Sequence, residues 1–144
     1  MPAFGSQSRQ RLATCHGDLQ RLFYEVVKHF DCHVLEGHRS LERQQELYAQ
    51  GRTTEGNIVT HKDGVAKRSK HQTSPSVAVD VVPWYKTSPH IRWDDEERFY
   101  YFAGFVMATA LSMGIAIRAG CDWDRDTEVS DERFVDLPHF ELIP

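Results

Sequence analysis

The sequence has few cysteines and no long apolar run. Its 144 residues include three cysteines, Cys15, Cys32 and Cys121, which lie far apart and form no CxxC pair. An odd number at such spacing disfavours a disulfide framework or a thiolate metal site and is typical of free thiols in a reducing cytosol. No stretch approaches the roughly 18 consecutive apolar residues of a membrane span, so we expect no membrane anchor.

The sequence also has no excess of positive charge. The chain has 17 basic and 21 acidic side chains and a net charge of −4. Basic residues form only short clusters such as 67–70, which disfavours a broad phosphate-binding face, and we expect no nucleic-acid partner. The N-terminus lacks the basic start and apolar core of a signal peptide. The length fits one domain over 1–144, and we expect a monomer.

Apolar periodicity predicts three helices. They cover 12–30 with an interruption near Gly17, 41–50, and the segment that follows 93–95 and ends at Gly114. Ser40 suits the N-cap of the second helix, and Gly51 suits its C-terminal end.

Short apolar segments predict four strands, over 32–36, 77–82, 115–118 and 139–143. Two polar segments separate them: a long loop over 51–76 and an acidic loop over 121–135. Loops as long as the first tend to be functional or mobile. Helices and a few short strands without βαβ alternation indicate an α+β domain, with helices packed on a small antiparallel sheet.

Two histidines and three carboxylates stand out by their context. Asp80 lies within an otherwise apolar strand, where a carboxylate is costly unless it is paired or bound to a metal, and His71 precedes that strand. His139 begins the last strand; Asp136 lies three residues earlier, and Glu141 lies two residues later on the same strand face, where it can brace the site. Two imidazoles and one carboxylate leave a fourth zinc position open for water, as in catalytic sites. Spacing alone leaves metal binding undecided.

Four blocks of sequence resemble the M15 peptidase family. These are zinc peptidases with the D-alanyl-D-alanine carboxypeptidase/Hedgehog-type fold, and they include phage endolysins that cut peptidoglycan peptides. The blocks are Glu36-Gly-His-Arg-Ser-Leu-Glu-Arg-Gln-Gln-Glu-Leu-Tyr-Ala-Gln-Gly-Arg, Ser69-Lys-His through Ala78-Val-Asp-Val-Val-Pro, Gly120-Cys-Asp-Trp-Asp, and Asp136-Leu-Pro-His-Phe-Glu-Leu. They cover residues 36 to 142 in order, and the resemblance therefore implies a Hedgehog/DD-peptidase-like fold.

The resemblance also implies roles for individual residues. The zinc ligands are His71, Asp80 and His139. Asp136 matches the catalytic acid/base. Arg39 matches the arginine that steadies the scissile carbonyl oxygen or the transition state, and Ser69 matches a serine with a supporting role towards the substrate.

The spacing between two of these ligands departs from the family pattern. Eight residues separate His71 from Asp80, where the family has six, and Ser76 replaces a glycine. We interpret 74–75 as a two-residue bulge that keeps both ligands pointing inward. If that bulge misplaced His71, His61 would be the substitute ligand.

The resemblance implies a zinc-dependent peptidase that hydrolyses the L-alanyl-D-glutamate bond of the bacterial cell-wall stem peptide. D-alanyl-D-alanine carboxypeptidase activity is the alternative within the family. A small phage endolysin of this kind would accumulate in the host cytoplasm until a holin opens the path to the wall. A non-catalytic zinc-stabilised wall- or partner-binding module is a further alternative, which Asp136 beside an open metal position disfavours. The acidic charge argues against a zinc-dependent nuclease.

Carboxylates alternate along the acidic loop over 122–128, as in some calcium loops. The loop lacks the glycine and the spaced glutamate of an EF-hand. We expect a solvated acidic loop with Trp123 packed inward, and an accessory calcium ion is the weaker alternative.

Overall fold

The computed structural model describes residues 1–144 and contains four α-helices, one 3₁₀ helix and four strands. In chain order the elements are α1 Ser6–Leu12, α2 Gly17–His29, β1 Cys32–Glu36, α3 Leu41–Ala49, the 3₁₀ helix Lys70–Gln72, β2 Ala78–Pro83, α4 Glu96–Ser112, β3 Ile117–Ala119 and β4 His139–Leu142. None of the helices has both the length and the apolar character needed to cross a membrane.

The four strands form one antiparallel sheet in the order β1-β2-β4-β3. Successive side chains of a strand point to opposite faces of the sheet. In β2, Val79 and Val81 therefore join the hydrophobic core, whereas Asp80 between them points to the other face. The predicted α+β class with a small antiparallel sheet is confirmed.

The core lies between the sheet and the two long helices. Helix α2 contributes a fully buried apolar stripe, and α4 packs against α2, β2 and β3. Phe140 of β4 joins the layers, because its ring centroid lies 5.5 Å from that of Phe23 and 6.0 Å from that of Phe102. Full burial of such a side chain contributes about 1.5–3 kcal/mol. The core thus fixes one face of the sheet and leaves the other for polar side chains.

Local sequence signals place the helix ends. The Ser40 hydroxyl accepts a hydrogen bond from the Arg43 backbone N–H at 3.1 Å, and Gly51 after α3 has a φ of 79°. The predicted interruption near Gly17 is a complete break between two helices. The predicted strand 115–118 begins later, at Ile117, because the Ile115 N–H still donates to the carbonyl of Ala110 and closes α4.

The loop predicted over 51–76 is not irregular throughout, since it contains the 3₁₀ helix. Ser69 caps this helix: its hydroxyl accepts from the His71 N–H at 3.2 Å, and the Gln72 side chain accepts from the Ser69 N–H at 2.8 Å. This reciprocal capping sets the backbone around His71.

Candidate metal centre and its cleft

His71, Asp80 and His139 meet on the sheet face opposite the core. Each offers one possible ligand atom, and the three atoms lie within 4.8 Å of one another. The Oδ1 atom of Asp80 lies 3.3 Å from His71 Nε2 and 3.4 Å from His139 Nδ1. Both histidines are buried. The structure therefore brings together the three residues that the sequence singled out.

Strand register places two of the three residues. Asp80 of β2 is paired with His139 of β4 and, on its other side, with Glu36 of β1. His71 comes from the 3₁₀ helix, whose position is fixed by a 2.7 Å hydrogen bond from the Arg39 N–H to the His71 carbonyl. The cluster therefore depends on three segments that are distant in sequence.

The two additional residues between His71 and Asp80 lie outside β2. The segment 73–77 forms a turn before the strand, and Ser76 is tied by backbone hydrogen bonds to Thr14 and His16. The interpretation of 74–75 as a bulge is therefore corrected to a longer turn. His71 still faces Asp80, and the substitute candidate His61 is exposed and lies outside the cluster.

Hydrogen bonds fix which ring nitrogen each histidine presents. His71 Nδ1 lies 2.8 Å from the carbonyl of Gly37, so the Nδ1–H donates there and Nε2 is left as a free lone pair. In His139, Nε2 lies 2.8 Å from Glu141 Oε1, so Nδ1 is the nitrogen that faces Asp80. The Arg118 guanidinium holds Glu141 in turn at 3.0 Å. Such outer partners orient metal-binding imidazoles.

The donor set fits a metal ion. His71 Nε2 and Asp80 Oδ1 are buried and have no hydrogen-bond partner. An orphaned buried polar atom costs about 1–3 kcal/mol, and here two such atoms point at the same place. A cation ligated by His71, Asp80 and His139 would satisfy both atoms.

Asp80 and His139 favour each other's charged forms and so shift each other's pKa. Burial alone would raise the pKa of Asp80, but the adjacent His139 and His71 outweigh it and hold that pKa far below the ordinary range. Burial would lower the pKa of His139, yet Asp80 and Glu141 raise it to about 9. Without a metal, His139 is therefore a positively charged imidazolium at neutral pH, with a proton on each ring nitrogen. A metal that binds at Nδ1 must displace the proton from that nitrogen.

Asp136 lies at the open side of the cluster. Its Oδ2 atom is 3.9 Å from His139 Nδ1, and its side chain is 38% exposed. Burial and the charge of Asp80 raise the pKa of this carboxyl. A carboxylate with a raised pKa at the mouth of a cleft is suited to accepting and returning a proton.

Gly120 positions the backbone of Asp136. The Asp136 N–H donates to the Gly120 carbonyl at 2.8 Å, and the Gly120 N–H donates to the His139 carbonyl at 2.8 Å. A Cβ atom on Gly120 would clash with the carbonyl oxygen of Asp136. Only glycine fits this close backbone approach.

We therefore expect Gly120→Ala to lower the free energy of unfolding by about 1–3 kcal/mol, because backbone must shift to relieve the clash. The matched control is Gly104→Ala within α4, where an added Cβ meets nothing within 4 Å. Alanine is the better helix former, so the control should be neutral or up to about 1 kcal/mol more stable. Urea denaturation of both variants makes the comparison; equal stability of the two would contradict the role of Gly120.

Arg39 lines the cleft, and its guanidinium already donates hydrogen bonds to two neighbouring side chains. Its Nε and one terminal nitrogen donate to the two carboxylate oxygens of Glu36 at 2.8 and 3.0 Å, and the other terminal nitrogen donates to Gln44 Oε1 at 2.8 Å. Its guanidinium also lies 3.8 Å from Asp80. The sequence analysis missed the roles of Glu36 and Gln44, although both lie in the first resemblance block; Gln44 is fully buried and contacts Arg39 and the 60–62 segment.

The cluster opens into a cleft of about 410 Å³. One wall is formed by residues 59–62 and 69–71, and the other by Trp123 and Phe134 of the acidic loop with Asp136 after it. The ring of Trp123 lies 5.3 Å from that of His139, and its indole N–H donates to the Phe134 carbonyl at 2.8 Å. Trp123 therefore packs inward as expected, against a candidate ligand.

The acidic loop brings Asp122, Asp124 and Asp126 together, with one oxygen of each within 4.8 Å of the others. Asp122 accepts hydrogen bonds from the backbone N–H groups of Asp126 and Thr127 at 3.2 and 3.1 Å. These contacts explain the loop's conformation without an ion, and an accessory calcium ion stays a weaker alternative.

Two imidazoles and one carboxylate beside an open cleft define a candidate mononuclear metal centre, and comparisons with known proteins place it in a family. The family model of phage L-alanyl-D-glutamate peptidases matches residues 2–143. The peptidoglycan L-alanyl-D-glutamate endopeptidase CwlK of Bacillus subtilis is 32% identical over 81% of this chain, which spans 64% of that protein. The L-alanyl-D-glutamate peptidase of Escherichia phage T5 is 27% identical over 97% of both chains.

Solved structures share the fold. The L-Ala D-Glu endopeptidase ChiX of Serratia marcescens superposes with a TM-score of 0.67 at 23% identity, over 99% of this chain and 91% of that one. The vancomycin-resistance D,D-dipeptidase VanXYg superposes with a TM-score of 0.51 at 20% identity, over 87% of this chain and 47% of that one.

The chain belongs to the phage L-alanyl-D-glutamate peptidase family. The predicted resemblance to M15 peptidases and the predicted peptidase class are confirmed.

Proposed function

We propose that this chain is a single peptidase domain over 1–144 that uses zinc to hydrolyse the L-alanyl-D-glutamate bond of the peptidoglycan stem peptide. One observation carries the proposal: two buried, orphaned ligand atoms of His71 and Asp80 converge beside His139, and Asp136 faces the open side. Relatives that are named for this bond support it.

The donor set favours zinc among the common metals. Zinc is held in many catalytic sites by nitrogen and carboxylate ligands from three residues, with one position left open. His71, Asp80 and His139 would hold it here. When bound, the metal supplies Lewis acidity and lowers the pKa of water.

The chain's own residues supply the rest of the reaction. Asp136 would take a proton from the attacking water and deliver it to the leaving amine, and its raised pKa matches both duties. Arg39 would stabilise the negative charge that develops on the scissile carbonyl oxygen; Glu36 and Gln44 hold its guanidinium in place before the substrate arrives. Ser69 would act through the backbone of the 3₁₀ helix, since its hydroxyl caps that helix.

The comparisons favour one bond over the other. Both curated relatives are named for L-alanyl-D-glutamate cleavage, and one of them matches nearly end to end. The D,D-dipeptidase shares the fold over less than half of its own length. D-alanyl-D-alanine carboxypeptidase activity is therefore the second candidate. A non-catalytic binding module has no need of Asp136 beside the open side of the cluster.

The phage relative supports a proposal for the biological setting. As a phage endolysin, the protein would accumulate in the host cytoplasm, reach the wall after membrane opening, and act as a monomer on the stem peptide.

Removal of the metal tests the zinc assignment. Dialysis against a chelator should abolish the release of soluble peptides from purified peptidoglycan, and one equivalent of Zn²⁺ per chain should restore it, because His71, Asp80 and His139 form one site for one ion. Full activity in chelator-treated protein that contains no metal would contradict the proposal. Adding Ca²⁺ alone serves as the control and should restore nothing.

A further inference from the structure

The substrate of the proposed function has a chemical feature that the metal site does not address. D-glutamate has two carboxyl groups, and a peptide chain that continues from it can use only one of them. At least one free carboxylate therefore lies directly beside the scissile bond. A cleft specific for this residue needs an uncommitted cation near the metal ligands.

The cleft offers two such cations. Lys62 and Lys70 line it together with Arg39. Arg39 is paired with Glu36 and lies close to Asp80, so its charge is largely compensated. Neither lysine forms an ion pair, and neither ammonium group has a hydrogen-bond partner within the protein.

The backbone that carries both lysines is tied to the candidate site. Lys70 lies in the 3₁₀ helix directly before His71. The Lys62 carbonyl accepts a 2.7 Å hydrogen bond from the Gln44 amide, and the same side chain accepts from Arg39. The backbone at both lysines is thus held in place relative to His71 and Arg39.

Charge differs sharply between the two walls of the cleft. Among the residues that line the cleft, the lysine wall contributes Lys62 and Lys70 and no carboxylate, whereas the opposite wall contributes Asp136 and no basic residue. An anionic group entering the cleft is therefore attracted to the lysine wall and repelled from the acidic wall. This asymmetry gives the peptide a preferred direction across the metal centre.

We propose that Lys62 and Lys70 bind the free carboxylate of the D-glutamate residue and thereby determine specificity for the residue after the scissile bond. The inference rests on the proposed function, because it takes the L-alanyl-D-glutamate bond as the substrate.

The test compares two stem peptides, one with the free carboxylate of D-glutamate and one in which that group is a carboxamide. Lys62→Ala, Lys70→Ala and the double variant are measured beside Lys67→Ala, a control in the same loop that does not line the cleft. On the acidic peptide, the double variant should lose about 5- to 30-fold in kcat/KM, mainly through a higher KM, as expected for charge contacts that remain partly exposed to solvent. On the amidated peptide all four variants should match the parent protein.

The outcomes separate the two claims. If the parent protein cleaves neither peptide at this bond, the proposed function itself is wrong. If it cleaves them and the double variant shows no loss, or the same loss on both peptides, carboxylate binding by these lysines is wrong while the proposed function stands. Zinc content measured in each variant excludes an indirect effect through the neighbouring His71.

Discussion

Asp136→Asn is expected to lower kcat on peptidoglycan by about 10²–10⁴-fold, the usual contribution of a positioned general acid/base. Asparagine keeps the size of the side chain but can neither take a proton from water nor deliver one to the leaving amine. Since Asp136 is not among the three clustered ligand residues, zinc content should stay at one per chain. The backbone contacts with Gly120 do not involve the carboxylate, so the fold should be retained.

The matched control is Asp131→Asn, which removes the same charge from the same loop but outside the cleft. It should leave kcat within about twofold of the parent value, because screening weakens the effect of distant exposed charges. Near-normal turnover in Asp136→Asn would show that another group moves the proton. Loss of zinc in that variant would instead make Asp136 a ligand.

His139→Ala is expected to lose both the metal and all measurable activity. The change deletes one of three ligands and leaves Asp80 and Glu141 without their imidazole partner. Breaking a buried charge pair in this way costs about 3–5 kcal/mol of stability. Metal analysis after gel filtration, with circular dichroism to verify folding, makes the measurement.

Two further variants keep that result interpretable. His71→Ala should also lose the metal, because its Nε2 is one of the converging atoms, whereas the exposed His29→Ala should retain metal and activity. Stoichiometric zinc in folded His139→Ala would contradict the ligand assignment.

Local sequence signals were sufficient to predict most of the helices and strands. Ser40 caps α3 as its side-chain chemistry predicts, and the 32–36 segment is a strand with the predicted bounds. Because a carboxylate inside an apolar strand needs a partner, the sequence indicated that Asp80 has one, and the structure places it between His71 and His139. These features depend on neighbours in sequence or on a single buried position, which is why they can be read without the fold.

The contacts between distant segments that orient the site residues could not be predicted. Nothing in the sequence states that the Gly37 carbonyl would orient His71, or that Glu36 and Gln44 would hold Arg39. The turn that accommodates the longer spacing before Asp80 depends on backbone pairing between Ser76 and the 14–16 segment. Each of these contacts joins segments whose proximity only the folded sheet creates.

The structure adds atomic detail to the ligand residues that the resemblance implies. The resemblance named ligands, whereas the structure indicates which ring nitrogen of each histidine faces Asp80: Nε2 of His71 and Nδ1 of His139. It also explains why Glu141 is buried yet ionised, because His139 and Arg118 outweigh burial and lower its pKa to about 2. Glu141 therefore retains its negative charge at neutral pH.

Mass spectrometry of the soluble fragments released from purified peptidoglycan by the zinc-loaded protein tests the central claim most directly. Cleavage of the L-alanyl-D-glutamate bond predicts released peptides with a new glutamate N-terminus and glycan strands whose stem peptides are cut back to alanine, both absent with Asp136→Asn. Loss of terminal D-alanine alone would make the protein a carboxypeptidase. No cleavage in protein with verified zinc would contradict the peptidase account and favour a binding module.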